Sequence, residues 1–424
     1  MILRISVETS NDLILFNVFS DEADRTRNPN FGEFRQFSFR TSGYSGFGEV
    51  HPDRLALVAI LCTLPFPSEE LRIEWPVSQS FQDASRVISR IRLFFPESKV
   101  HSLKRTNTGR HALSFSGGAD STAALAVMPN STESVFMLRS KAKGRTLYDS
   151  EAALESCSKL RNLGFTVHMV ESDFEYLRNP IGFPTDLAVS SPAILLANSR
   201  GFESVAFGTI LESAYGTSGT KYRNYTDSSH YKLWNSLFRS VGLGYSLPVA
   251  GVSEVGSAIL CRDHTIGRFH QSCIRGKWGE PCDKCWKCFR KSTLNSALEG
   301  SEIPTSSLDS IKNSKEVRKN LVNQRPIKHE GVLSYSFERL KGGGDLIKSL
   351  KKLVRVGTIK TDWMEKWYPN SSNLIDQKYR NLSVKILKEY LGEMDDYDVE
   401  NLHSWENYTN EERDSKLLEF IQLI

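Results

Sequence analysis

The chain has 424 residues, 39% of them hydrophobic and 25% charged, the make-up of an ordinary soluble protein too long for one compact core, so two or three domains are expected. A net charge of +4 leaves room for a basic pocket or groove but does not indicate a surface dedicated to coating nucleic acid. The longest apolar run, Leu55 to Phe66, falls well short of the roughly 20 residues that a membrane-crossing helix needs.

Met1 to Glu8 alternates apolar and polar residues as a strand does, with neither the basic start nor the long apolar stretch of a signal peptide. A cytoplasmic location and no membrane partner are expected. A helix is predicted to open at His51-Pro52-Asp53, a strand to cover Leu71 to Trp75, and a second helix to run from Ser80 to about Phe94. The polar, turn-rich stretch Pro96 to Arg110 reads as a linker. Residues 1–105 are therefore expected to form an N-terminal α+β region, and they hold no catalytic motif.

From His111 short apolar runs alternate with helical stretches. Strands are predicted at Ala112 to Phe115, Val135 to Leu138, Phe165 to Val170 and Val205 to Phe207, with helices at Ser121 to Met128, Ser150 to Leu163 and Ser191 to Ser199. This rhythm predicts an α/β domain over residues 106–298 with a doubly wound parallel sheet, its ligand at the carboxyl ends of the strands. Beyond Glu299 the chain is polar and lysine-rich, breaks at Gly342-Gly343-Gly344, and resumes helical spacing at Leu346, Leu350 and Leu353 and at Val384, Leu387 and Leu391. Residues 299–424 are thus expected to be helical.

The first predicted strand of that domain runs straight into Ser116-Gly117-Gly118-Ala119-Asp120-Ser121, which opens a helix. A strand, a glycine turn and a helix N-terminus make an anion site: backbone N–H groups converge, the helix dipole adds partial positive charge, and the two serines add hydroxyls. A phosphate or pyrophosphate is the natural guest. The alternative is a serine-glycine turn that merely caps the helix through Asp120 or Ser116. The lysine of a Walker loop is absent, which argues against γ-phosphate transfer of that kind.

Seven cysteines are present, and Cys273, Cys282, Cys285 and Cys288 crowd together as C-x8-C-x2-C-x2-C, with Gly276, Gly279 and Pro281 letting the chain turn between them. In a reducing compartment this spacing favours a metal over disulfides. Four thiolates suit tetrahedral Zn²⁺ in a closed, structural site. An iron-sulfur cluster is the competitor, but the Cys-Pro that usually follows such a run is missing. Cys261, His264 and His270 are reserve ligands, while Cys62 and Cys157 read as buried small hydrophobes.

Together, the Ser116 to Ser121 motif and this cysteine spacing resemble the PP-loop ATP pyrophosphatases, and among them 7-cyano-7-deazaguanine synthase, over about residues 111 to 298. The resemblance implies a PP-loop (HUP-like) fold in which ATP is cleaved to AMP and pyrophosphate. It makes Ser114, Ser116, Gly117, Gly118, Asp120 and Ser121 the ATP and pyrophosphate binders, Asp120 and Ser121 the catalytic pair, and Asp120 a partner of Mg²⁺. Tyr225-Thr226-Asp227 falls where the family carries an aspartate-containing substrate loop, so Asp227, Arg223 and Lys221 are the candidate substrate contacts. The sequence departs from the family at Arg139 to Gly144 and at Ser253-Glu254, where the family has a serine-lysine pair, and in having regions 1–105 and 299–424 at all. Lys221, Arg223, Arg262, Arg268, Arg290 and Lys291 are the side chains that could return the missing positive charge. Trp278 and Trp286 beside the cysteines could offer a stacking face.

The expected chemistry is activation of a small carboxylate, a 7-deazaguanine carboxylate by resemblance, followed by attack of an amine, either ammonia or a protein N-terminus. The appended regions suit a specialised relative, such as one serving an antiphage system. The resemblance is compatible with a homodimer and leaves tRNA modification open as a second function, with the lysines between residues 312 and 360 as its binding surface. A third reading is a non-catalytic nucleotide-binding module.

Overall fold

The computed structural model describes residues 1–20, 28–41, 46–97, 99–140, 148–218, 221–324, 326–342, 344–406 and 410–423. Of the sequence features above, Lys141 to Gly144 and Gly343 lie outside the described residues.

The fold is α/β. Among the described residues ten strands form one sheet: β1 (Ile2–Thr9), β2 (Leu13–Ser20), β3 (Gln36–Thr41), β4 (Glu70–Ile73), β5 (Arg92–Phe94), β6 (His111–Phe115), β7 (Glu133–Arg139), β8 (Val167–Ser172), β9 (Ser204–Phe207) and β10 (Gly244–Ser246), in the order β10-β9-β6-β7-β8-β3-β2-β1-β4-β5. The strands from β10 to β8 are parallel, as are β1, β4 and β5, while β8, β3, β2 and β1 pair antiparallel. The order reverses at β6, which has β7 and β8 on one side and β9 and β10 on the other.

Burial explains the two halves. Every residue of β9 is buried, the pattern of a parallel strand covered on both faces. In β1, by contrast, Leu3 and Ile5 are buried and Arg4 is exposed, so one face of the N-terminal half meets water. Strand β3 joins the halves through the pairs Phe39↔Ser172 and Thr41↔Val170. The N-terminal α+β region therefore extends the sheet of the central domain.

Helix α1 (Pro52–Thr63) starts as its sequence predicts, with His51 Nδ1 accepting the Asp53 N–H and Pro52 in the first turn. Helix α2 (Gln79–Ser85) is shorter than predicted: the chain leaves the helix before the β-branched residues Val87, Ile88 and Ile91, and Arg92–Phe94 pairs with β4 as the edge strand β5. Helix α3 (Ala119–Ala126) packs on β6 and β9, and α5 (Ser191–Arg200) packs on β6, β7 and α1. Between them in the chain comes α4 (Glu151–Asn162), and after them α6 (Leu211–Ala214), α7 (Ser229–Ser240), α8 (Glu254–Asp263), which lies along α3, and α9 (Trp286–Leu298).

Residues beyond 298 are helical, as expected: α10 (Thr305–Asn313), α11 (Lys315–Arg318), α12 (Glu330–Arg339), α13 (Asp345–Leu353), α14 (Arg380–Leu391), α15 (Asp396–His403) and α16 (Asn410–Ile421). They divide between two cores. Ile311, Leu333, Phe337, Leu350 and Phe420 form a second core with Trp286 and Phe289 of α9. Trp363, Met364, Trp367, Leu387 and Trp405 belong instead to the main core around the sheet. Ser383 donates to the Val127 carbonyl at 2.6 Å, Tyr379 to Ser246 Oγ at 2.7 Å, and Arg105 meets Asp376 at 2.7 Å, so the C-terminal helices close over the central domain. No helix of the described residues is long and apolar enough to cross a membrane.

Candidate functional site

The carboxyl ends of β6 and β9 meet where the strand order reverses, the position at which open α/β sheets bind ligands. From β6 the chain turns through Gly117, whose φ of +75° is a left-handed conformation that a side chain resists. It enters α3 at Gly118, an N-cap without a side-chain cap. Asp120 does not cap the helix, while Ser116 Oγ accepts the Gly118 N–H at 3.4 Å. Ser116 and Ser121 hydroxyls lie 3.0 Å apart, the Ser116 N–H donates to Ser121 Oγ at 3.2 Å, and Ser121 donates to the Gly118 carbonyl at 3.0 Å. Ser114 donates to the Val189 carbonyl at 3.2 Å and lines the cavity that adjoins Ser116 and Gly118. From β9, Gly208 packs on the helix start so closely that a Cβ there would lie 2.7 Å from Ser121 N.

The segment before the first clustered cysteine is tied to this loop. Gln271 donates its backbone N–H to the Gly117 carbonyl at 2.9 Å, and Ser272 Oγ accepts the Ala119 N–H at 3.2 Å. The Gln271 side chain donates to the Lys277 carbonyl at 2.7 Å and accepts the Gly279 N–H at 2.8 Å, fixing the hairpin between Cys273 and Cys282.

Cys273, Cys282, Cys285 and Cys288 bring their sulfurs within 4.8 Å of one another, with 3.8 Å between Cys282 and Cys288. Tetrahedral ligation at about 2.3 Å places thiolates about 3.8 Å apart, so the group could hold a metal ion such as zinc. A four-iron cluster puts its own iron and sulfide between the thiolates and needs them further apart. Cys285 caps α9, accepting the Cys288 N–H at 3.4 Å, and hydrogen bonding with Cys288 brings its thiol down to about 5. The reserve ligands stand elsewhere: Cys261 Sγ is directed at the Ala119 carbonyl at 3.4 Å, His264 packs against Tyr390, and His270 bonds Gly267. Cys62 and Cys157 are fully buried in the core, as expected of small hydrophobes.

Two cavities flank the loop, and Gln271, Ser272 and Lys287 line both. One, of about 370 Å³, lies between the loop and the cysteines and is walled by Ala119, Arg262, His270, Cys273, Cys288 and Lys291. The other, of about 310 Å³, is more apolar and adjoins Ser116 and Gly118, with Phe136, Met137, Tyr148, Phe183 and Val189 in its wall. Arg139 stacks over Tyr148 at 4.1 Å there and is paired with buried Glu175.

Beneath the loop lies a cluster of buried charge. Arg290 reaches both oxygens of Glu254 at 3.0 Å, Lys291 Nζ lies 3.2 Å from Glu254 Oε1 and 3.6 Å from Asp120 Oδ1, and His329 Nδ1 lies 3.1 Å from Glu254 Oε2. The backbone N–H of Glu254 donates to Glu212 at 2.9 Å. Burial alone would raise the Glu254 carboxyl, yet Arg290 and Lys291 hold it well below the ordinary range. Glu212 lacks such partners, and burial followed by the Glu254 charge pushes it up to about 8.

Of the six basic candidates, Lys291 is the one at the loop. Arg290 is taken by Glu254, Arg262 by Asp263 at 2.6 Å, and Arg268 lies over Phe269. Lys221, Arg223 and Asp227 line neither cavity; Asp227 accepts from Asn224 at 2.8 Å in an exposed turn. Trp286 is stacked on Phe289 in the second core and Trp278 is covered by Lys159, so the rings facing the loop cavities are Phe136, Tyr148 and Phe183. Glu212, Gln271, Ser272 and His329 carry no signature of their own in the sequence. Lys291, one of the six basic candidates, stands one turn and a half into the helix that Cys285 opens.

A family model described as a family of unknown function (DUF6395) matches residues 233–406, less than half of the chain. The match takes in the four cysteines, Glu254, Lys291 and His329, and it stops short of the glycine loop. No curated protein and no solved structure matches the chain.

Proposed function

We propose that this chain is an ATP-dependent enzyme of the PP-loop type that forms AMP and pyrophosphate while activating a small carboxylate for attack by an amine. The observation that carries this reading is the Ser116 to Ser121 loop at the reversal of the parallel strands, with left-handed Gly117 and a helix whose N-cap residue is a glycine. A central strand with parallel neighbours on both sides and an order that reverses beside it is also what a doubly wound nucleotide-binding sheet presents.

On this reading the loop takes the β and γ phosphates. The apolar cavity of Phe136, Tyr148 and Phe183 takes the planar base, and the cavity of Arg262, Lys287 and Lys291 takes the acid. The protein contributes positioning and fixed charge more than covalent chemistry. Asp120 is the carboxylate beside which Mg²⁺ would sit, since this ion usually combines one or two carboxylates with substrate phosphates; it would supply charge neutralisation. The four thiols would hold zinc as a closed structural ion that fixes one wall of the acid's cavity. A 7-deazaguanine carboxylate is the proposed acid and ammonia or a protein N-terminus the proposed amine.

The test is turnover by the full chain with ATP, Mg²⁺ and a panel of acids, with 7-carboxy-7-deazaguanine set beside amino acids and simple carboxylates. AMP and pyrophosphate are expected, stimulated by the deazapurine. ADP and phosphate would overturn the reaction class, and stimulation by another acid alone would overturn the substrate.

A further inference from the structure

We infer that Lys291 is the side chain that grips the pyrophosphate, and that Glu254 is a positioning residue that presents it to the loop. The inference rests on the reading of the loop as a pyrophosphate site and assigns its cation.

Residues 114–121 contain no basic side chain, so a dianionic guest must find its cation elsewhere in the fold. Lys291 supplies one from α9. Its Nζ is sealed from solvent and held by ion pairs alone among the described residues, 3.6 Å from Asp120 at the mouth of the loop and 3.2 Å from Glu254 behind it. Burial of an ammonium is costly and is tolerated where carboxylates or an incoming anion compensate it. Glu254 does not need this lysine, because Arg290 already meets both of its oxygens. Asp120 Oδ1 is likewise buried without a hydrogen bond. With Nζ covered and only the half-exposed Asp120 carboxylate between it and the loop, the lysine has a short reach to a phosphate oxygen, with Ala119 and Ser272 beside it in the cavity wall.

Glu254 is itself held from the other side. Its backbone N–H is bound by Glu212, and His329 of the C-terminal region lies against its far oxygen. The groups facing Lys291 are Glu254, Asp120 and Arg290, with Cys261 and His270 further out. Burial and Arg290 favour the neutral amine; Glu254 and Asp120 outweigh them and keep the ammonium.

The experiment is calorimetric titration of the full-length protein with inorganic pyrophosphate. Lys291→Met is expected to weaken binding roughly 10- to 100-fold, the worth of a lost charge-assisted hydrogen bond, while Lys291→Arg keeps most of it. In Glu254→Gln the lysine loses its main counter-charge, so the alkaline loss of pyrophosphate affinity should move to lower pH, which a purely structural role would not cause. Equal affinity of wild type and Lys291→Met, both folded by circular dichroism, would overturn the inference and leave the loop assignment standing. No pyrophosphate binding by the wild type would overturn the loop assignment itself. Should Lys291→Met not fold, a crystal structure of the wild type with pyrophosphate decides: a phosphate oxygen on Nζ is expected, and a phosphate bound in the loop beyond its reach refutes the inference.

Discussion

The backbone N–H of Gln271 donates to the carbonyl of Gly117 at 2.9 Å, which ties the cysteine cluster directly to the glycine loop. Gly117 owes its left-handed turn to having no side chain, and Gln271 uses its own side chain to brace the hairpin at Gly279. Order in the cysteine cluster and order in the loop are therefore one problem, 154 residues apart in sequence.

Gly208→Ala should disable the loop from a distance. The new Cβ would lie 2.7 Å from Ser121 N and 2.8 Å from the Asp120 carbonyl carbon, both backbone atoms that cannot swing aside. A stability loss of about 1–3 kcal/mol is expected from the overpacking. Pyrophosphate affinity should fall at least about tenfold as the loop donors shift. Thermal unfolding and calorimetry on the same variant check both.

Metal content is the second prediction. Elemental analysis of the purified protein should find about one zinc per chain, and Cys285→Ser should yield misfolded protein, because the ligand lost is also the cap of α9. Iron with sulfide in the preparation would contradict this.

Stability should decline as pH rises from about 4.5 to about 8. Glu212 has its carboxyl raised from 4.5 to about 8, so the folded state holds its proton where the unfolded chain has released it. That contribution is fully present below about pH 4.5 and is lost as pH passes 8. Melting curves across this range should show a steep fall with rising pH in the wild type and a shallower one in Glu212→Gln.

Glu133→Gln makes the opposite case, a change that costs stability and spares the site. Glu133 starts β7 at the end of the sheet away from the loop, with His168 at 2.6 Å, Arg110 at 2.6 Å and Arg200 at 3.0 Å. Burial would raise its carboxyl, but the hydrogen bond with His168 and the two arginines bring it down to about 2. Its contribution is present above about pH 4.5 and is lost as pH falls toward 2. The variant should unfold about 1–3 kcal/mol more easily at neutral pH, a range discounted for the half-exposed Arg110. Pyrophosphate binding should be unchanged.

Local pattern carried the central strands and helices and both motifs, because each is written in contiguous residues. Ser116 to Ser121 directs a strand into a helix through a turn that only glycine takes easily, and the two short C-x2-C steps bring thiols together without help from the rest of the chain. The helix predicted to reach Phe94 failed because a parallel partner, β4, draws residues 92–94 into the sheet, and pairing between residues 22 positions apart is invisible to periodicity. Trp286 was offered as a stacking face by its neighbours in sequence, yet it belongs to the core that α9 shares with residues 311–420.

What the sequence by itself determined is the glycine turn from strand to helix, the thiol cluster and the alternation of strand and helix, since these depend on bonds between residues a few positions apart. What only the tertiary structure decided is the wiring among them. The N-terminal strands extend the central sheet, the C-terminal helices close over it, and Lys291, Glu254, Glu212 and His329 gather beneath Asp120. Charges so far apart in the chain meet because the main core buries them together, and once out of water each must find the others.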